Sequence, residues 1–270
     1  MDVALSRNGR RLMRVFFALV IVFLYAPIAI LLVFSFNKSP VPVFPLTGFT
    51  LRWYHDFLTN GDIHAALETS AIVAALSSVG AVALGVLAAI ALTRHRFRGQ
   101  LGVTALLLSP LVIPLVVLGV SLLLLFRQLG VQPSILAVTI GEIVIVLPYT
   151  ILVIMPRLEQ IDASLAEAAY DLGAGPLTTF RRVTLPLIVP AVVSAFLIGF
   201  TTSFDEYAVA SFLAPGDRPT FPVYLYSALR FPSRLPQVIA VAVVVLLVTL
   251  VVVVAIELWR RWAEARLEAA

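Results

Sequence analysis

The chain has 270 residues, 61% of them hydrophobic and only 13% charged, with a formal net charge of +4. A soluble domain carries about 25% charged residues, so this composition describes a polytopic membrane protein. The absence of cysteine excludes disulfide frameworks, Cys metal sites and thiol catalysis.

Taken in chain order, arginines 7, 10, 11 and 14 precede an apolar run from Val15 to Phe36. That run is too long for a signal-peptide core and lacks a clear A-x-A cleavage site, so it is expected to be retained as a span. Five more runs reach the roughly 20 residues a bilayer requires: residues 69–93, 101–126, 134–155, 183–204 and 235–256. Only the fourth of the six carries a charge, Glu142. All are rich in Leu, Val, Ala and Ile without period-2 alternation, which predicts helices rather than a barrel. Prolines 110, 114, 148, 186 and 190 fall in spans three to five. Each frees a carbonyl that lipid cannot satisfy, so these spans are expected to pack inside the protein. Span six, with valines at 251–254, is expected to be peripheral.

An even number of spans puts both termini on one side. Thirteen of the 19 Lys and Arg residues lie on that side: Arg7, Arg10, Arg11, Arg14, Arg94, Arg96, Arg98, Arg157, Arg181, Arg182, Arg260, Arg261 and Arg266. The opposite loops carry Lys38, Arg52, Arg127, Arg218, Arg230 and Arg234. The positive-inside rule then predicts cytoplasmic termini. The basic balance is topological, and no nucleic-acid partner is needed to explain it. In the long first outer loop, LRWYHDFL from Leu51 reads as a helix at the membrane interface, with Trp53 and Tyr54 suited to that level.

The longest polar interruption of the second half runs over residues 156–184 between spans four and five. It holds one short helix. Ser164 reads as an N-cap with Glu167 three residues on, a capping box. Leu165, Ala168, Ala169 and Leu172 form an apolar stripe, Gly173 supplies a left-handed stop, and Gly175-Pro176 restarts the chain. An apolar face on a water-exposed loop asks for a partner groove.

Few residues can carry chemistry. Glu142 is a carboxylate near mid-membrane, which reads either as a pathway residue or as a hydrogen-bonding group between helices. Asp205 and Glu206 follow span five, about 28 Å from Pro186 at ~1.5 Å per residue. Beside Tyr207 they read either as a cation site using charge pairing and cation–π contact or as solvated acids at a span end. No G-x-x-x-x-G-K-[ST] occurs, so the chain has no P-loop of its own for ATP. The three histidines are scattered without metal-ligand spacing, and no serine has a paired His and Asp. No catalytic residue and no metal site are expected.

The EAAYDLGAG stretch at 167–175, followed by Leu185-Pro186, resembles the cytoplasmic EAA loop of type I ABC importer permeases. With SFNKS at 35–39, GFTLRWY at 48–54, RHRFRG at 94–99 and SFDEYAVASF at 203–212, most of the chain resembles the second permease subunit of spermidine/putrescine-type importers. That resemblance implies an all-α permease domain over residues 1–270, with six transmembrane helices and a coupling helix. It implies a bacterial inner-membrane location, a heterodimer with a homologous permease, two ATPase subunits carrying ATP and Mg, and a periplasmic solute-binding protein. No cofactor is implied on this chain. Glu167 would contact the ATPase, Ala168, Ala169 and Leu172 would permit close docking, and Gly173 would set the bend. Asp205, Glu206, Tyr207 and Glu142 would be candidates for the substrate path. Read without the resemblance, the residues also fit an ATP-independent secondary transporter, with Glu142 and Asp205 as proton or cation sites.

Overall fold

The computed structural model describes residues 7–268. Residues 1–6 and 269–270, part of the expected 1–270 domain, lie outside the described residues. The chain runs α1 (Arg7–Ser35), α2 (Arg52–Thr59), α3 (Gly61–Arg94), α4 (Gln100–Leu108), α5 (Leu115–Gln128) and α6 (Ile135–Glu159). It continues through α7 (Ser164–Asp171), α8 (Pro176–Thr179), α9 (Leu185–Phe204), α10 (Ala210–Leu213), α11 (Phe221–Ala228) and α12 (Leu235–Glu268). A π turn, Phe180–Thr184, joins α8 to α9. The described residues contain no strand, only one isolated bridge between Asn37 and Phe49.

Five helices are long and apolar enough to cross a bilayer singly, and α4 with α5 makes a sixth when that bent pair is taken as one span. Span three is thus not the straight helix its hydropathy predicts. Its halves meet at 104°. Pro114 has no N–H to continue the ladder and disfavours helical geometry at the residue before it. It stands extended (ψ 126°), and its carbonyl accepts from Leu118 N at 3.0 Å to start α5.

The chain divides into two compact units. In the unit Gly61–Tyr224, α3, α6 and α9 pack against one another. Proline content marked the deepest span, α6, but is not a measure of burial for the others. In the transmembrane stretch of α6, 56% of residues are buried, against 39% for proline-free α3 and 17% for α9. Serine, alanine and glycine along one side of α3 let its backbone approach α6, as small residues do between membrane helices.

Two apolar clusters hold this unit. Val73, Leu118, Val138, Val209 and Leu213 belong to one, and Val86, Ala89, Ile154, Leu158 and Ile188 to the other. In sequence between them lies a polar layer. Ser203 Oγ donates to Glu142 Oε2, and the Ser77 and Ser203 hydroxyls lie 2.8 Å apart, so α3, α6 and α9 meet at one carboxyl group. Thr150 Oγ1 donates to the Ala81 carbonyl at 3.1 Å and repeats the α3–α6 link further along. Glu142 is 1% exposed, and its Oε1 has no partner among the described residues.

The other unit contains α1, α2 and α12, with α12 packed against both. Trp53 and Tyr54, read from the sequence as interface residues, also hold contacts within the chain. Trp53 is buried, its Nε1 donating to the Asn37 carbonyl at 2.8 Å, and Tyr54 Oη donates to Ser35 Oγ at 2.7 Å. They latch α2 to the end of α1. Helix α12 buries Val238, Ala240, Val241 and Val243, then exposes Leu247, Val248, Leu250 and Val251, so only its later turns are peripheral.

Removing the Ser203 hydroxyl strands a buried carboxyl group, which costs about 1–3 kcal/mol. Ser203→Ala should therefore lower the thermal unfolding midpoint in detergent, and Glu142→Gln, which still bonds to Ser203, should lower it less.

Candidate functional site

Two features stand apart from the packed core: a cavity beside the end of α9, and the short helix α7. The cavity measures about 660 Å³. One wall is the break in span three, with Pro110, Leu111, Ile113 and Leu115. The second is α6, with Ile145 and Tyr149, and the third is the end of α9, with Thr201, Thr202 and the turn Asp205–Ala208.

That turn is firmly seated. Glu206 is buried, and its carboxylate accepts from Val209 N through both oxygens (3.0 and 3.1 Å) and from Ala210 N at 3.0 Å. It caps the start of α10, satisfying N–H groups that a helix start leaves without partners. Leu213 at the far end accepts from Ser134 N at 3.0 Å. Gly119 of α5 lets this segment come close. A Cβ there would stand 2.8 Å from Phe212 Cδ2 and 3.1 Å from Val209 Cα.

The two adjacent acids therefore differ. Glu206 lines the cavity with its carboxylate engaged by backbone donors, whereas Asp205 is exposed and makes no ion pair with any described residue. Tyr207 and Tyr149 also line the space. One free carboxylate beside two phenol rings can take a single cationic group by charge and by its approach to a ring face. Glu142 does not line the cavity. It sits inside the α3–α6–α9 contact, in the place the hydrogen-bonding alternative gives it.

Helix α7 follows α6 after a four-residue link. The expected capping box is not formed. Ser164 lies inside the helix, and its N–H donates to Asp162 Oδ1 at 2.9 Å, so Asp162 takes the capping role. The hydrogen bond from Ser164, with a smaller pull from the Arg94 charge, holds the Asp162 carboxyl below its ordinary value of 3.8. The other end matches its sequence expectation. Gly173 has φ +85°, Gly173 N donates to Tyr170 O at 2.8 Å, and Ala174 N donates to Ala169 O at 3.0 Å. These two bonds make a Schellman stop.

No residue of α7 is buried. Leu165, Tyr170 and Leu172 are exposed, Leu172 at 88%, and Glu167 and Ala168 are exposed with Ala169 half-covered. The link before α7 is nonetheless tied down. Arg94 at the end of α3 donates to the Leu158 carbonyl at 3.2 Å and to the Ile161 carbonyl at 3.1 Å. Arg157 donates from Nε to the Leu187 carbonyl in the first turn of α9, at 3.1 Å. An uncovered helix is thereby joined to the ends of three packed ones.

Residues 81–268 match the family described as binding-protein-dependent transport system inner membrane component. The chain belongs to this family. It is 37% identical over 231 residues to the putrescine transport system permease protein PotI of Escherichia coli K12, covering 83% of this chain and 82% of that protein. It is 36% identical over 253 residues to the spermidine/putrescine transport system permease protein PotC of the same strain, covering 94% and 95%. The solved structure of a bacterial ABC transporter involved in the import of the acidic polysaccharide alginate gives a TM-score of 0.75 at 20% identity, covering 94% of this chain and 98% of that one. At that identity the likeness concerns the fold. The chain is a permease subunit of an ABC importer, a multi-pass inner-membrane protein with a transport role rather than a catalytic one. Importer permeases of this kind work with a second permease, an ATPase and a binding protein.

Sequence reasoning missed Tyr149, Thr201 and Thr202 as cavity residues, because nothing in their spacing says that span three folds aside there. It also missed Arg94, whose partners lie more than sixty positions away. The capping role of Asp162 leads to a direct test. Asp162→Ala should speed amide exchange across residues 164–167 at pH 7. Because the folded-state value is depressed, the stabilisation is present above 3.8 and is lost as pH falls through the folded value. The difference between variant and parent should therefore close in acid.

Proposed function

We propose that this permease forms half of the translocation path for a small organic cation, a polyamine such as spermidine or putrescine foremost. The observation that carries this reading is Asp205, an exposed carboxylate without an ion-pair partner among the described residues, in a cavity it shares with Tyr149 and Tyr207. The names of the relatives PotI and PotC support the substrate class. Asp205 would receive one ammonium group at a time while Tyr207 and Tyr149 offer ring faces. Glu206 would keep the turn in place, and Glu142 would serve the path indirectly by holding α3, α6 and α9 together.

The partner permease would be a homologous chain completing the other half of the path, the two spans-and-coupling units forming one importer with two ATPase subunits. ATP and Mg would reside on those subunits, with no cofactor on this chain. A periplasmic binding protein would deliver the solute. Spans one to six would act as one permease domain with both termini in the cytoplasm, a placement supported by the arginine distribution.

Helix α7 would dock in a groove of the ATPase, with Glu167 as a polar contact, Ala168 and Ala169 allowing close approach, Leu172 as an apolar contact and Gly173 fixing the exit. Closure of the ATPase pair would move α7, and the ties through Arg94 and Arg157 would pass that motion to α3, α6 and α9.

Two variants test the two halves of this reading. Glu167→Lys should leave the permease inserted in the membrane but abolish ATPase copurification or uncouple hydrolysis from uptake; normal uptake would remove the coupling role. Asp205→Asn should weaken uptake of a diamine well beyond that of a neutral solute, and equal losses for the two solutes would make Asp205 structural.

A further inference from the structure

The loop between α1 and α2 presents several large apolar side chains to its surface. From Ser39 to Leu51 it contains no charged residue. Within it Val41, Val43, Phe44, Phe49 and Leu51 are exposed, the last three at 68, 77 and 67%. A loop in water normally turns such side chains inward or replaces them with polar ones, and contiguous exposed apolar groups mark a surface that meets something apolar.

The loop has a defined shape, so these side chains are presented rather than loosely trailing. Asn37, 1% exposed, is its anchor. Its Oδ1 accepts from Ser39 N and Thr47 N, each at 3.3 Å, and its carbonyl accepts from Trp53 Nε1. Lys38 N donates to Gly48 O at 2.9 Å and Thr50 N donates to Phe36 O at 2.8 Å, closing the two arms on each other.

Its level relative to the bilayer follows from α1. From Val15, the first residue after the arginines, to Phe34 the helix rises about 29 Å, close to the roughly 30 Å hydrocarbon thickness. Phe34 therefore stands at the boundary where α1 leaves the lipid chains. The Phe44 ring packs edge-on against Phe34 with centroids 4.9 Å apart. The loop thus folds back to the level of the last turn of α1. The most apolar window of α1 has no buried residue, although Phe34 at the helix end is covered, so the exposed loop side chains continue the exposed apolar surface of α1. Lys38 and Arg52 stand at the two ends of the uncharged stretch, where a phosphate layer would meet them.

We propose that the 41–51 loop is a membrane-dipping element whose occupant is the phospholipid leaflet into which α1 emerges, with Phe44, Phe49 and Leu51 below the phosphates and Lys38 and Arg52 among them. Elements of this kind bury their apolar side about 5–10 Å into the boundary between headgroups and chains. In this permease the loop would fix the depth and tilt of α1, with Trp53 and Tyr54 transmitting that level to α2 through their bonds to Asn37 and Ser35.

The chain has no cysteine, so Phe49→Cys, Leu51→Cys and, as a water-facing reference, His55→Cys can each carry the only nitroxide on this subunit. The full importer is reconstituted into phosphatidylethanolamine–phosphatidylglycerol vesicles, and collisions with molecular oxygen and with a water-soluble nickel chelate are read by electron paramagnetic resonance. The expected result is an oxygen-to-nickel collision ratio several-fold higher at 49 and 51 than at 55, unchanged when the binding protein is added. Free access of nickel at 49 and 51 would overturn the proposal, since the loop would then stand in water. Immobile labels closed to both reagents would also overturn it, because a protein partner would then cover the loop. Two exposed label positions guard against one substitution disturbing the fold.

Discussion

A carboxyl group in an apolar helix core must find a partner inside the protein, and one oxygen of Glu142 finds it in Ser203 of α9, which in turn bonds Ser77 of α3. Its bond to Ser203, continued to Ser77, draws α9 and α3 onto α6 at one level. Apolar packing alone discriminates weakly between helix positions in lipid, because lipid chains are as apolar as the side chains themselves. A buried polar contact does discriminate, since any rotation or slide leaves the carboxyl without its hydrogen bond. The clusters around Val73 and Ile154 can therefore interlock in one register.

With that three-helix unit fixed, the remaining pieces of the same unit have defined places. The proline-broken span three turns aside instead of crossing straight, and its bend opens the space that α6 and the end of α9 close from other directions. The 205–213 turn is held there by Glu206 at its start and by close contact with Gly119 along its length. A rigid turn carrying an unpaired acid is a different object from two solvated acids on a loose loop. The backbone has taken the Glu206 carboxylate for its own donors, while Asp205 stays exposed without an ion pair to any described residue. Proximity of two acids in sequence thus overstates the negative charge available to a substrate.

The same unit joins the cavity region to α7, a helix with no buried residue that packs mainly against the short α8 and the π turn after it among the described residues. Helix α7 is complete at both ends, through Asp162 and Gly173, yet none of its residues is fully buried. Short helices are marginal by themselves, and this one gains its order from caps and from the arginine ties of the preceding link. The helix is capped and exposed, and its neighbouring link is tied by hydrogen bonds from Arg94 to the Leu158 and Ile161 carbonyls. The importer role and the packing are consistent on this point.

Much was legible from the chain alone. Hydropathy located the five helices long and apolar enough to cross a bilayer and the bent pair α4–α5, because a bilayer demands long uncharged runs whatever surrounds them. The EAA stretch pointed to the permease family, and Gly173 announced a left-handed helix stop because few other residues tolerate that backbone. What tertiary structure decided were matters of contact. Composition could not rank α3 above α9 in burial, because small residues and prolines say how closely a helix can pack but not against what. Nor could it tell Glu206 from Asp205, since the N–H groups that claim Glu206 belong to a turn whose shape is set by α5 and α6. Trp53 and Tyr54 had the chemistry for an interface, but their hydrogen bonds to Asn37 and Ser35 could be read only from the folded chain. Linear sequence specified which groups need partners; only the folded chain determined which partners they found, because hydrogen bonding and close packing act across distances that sequence order does not encode.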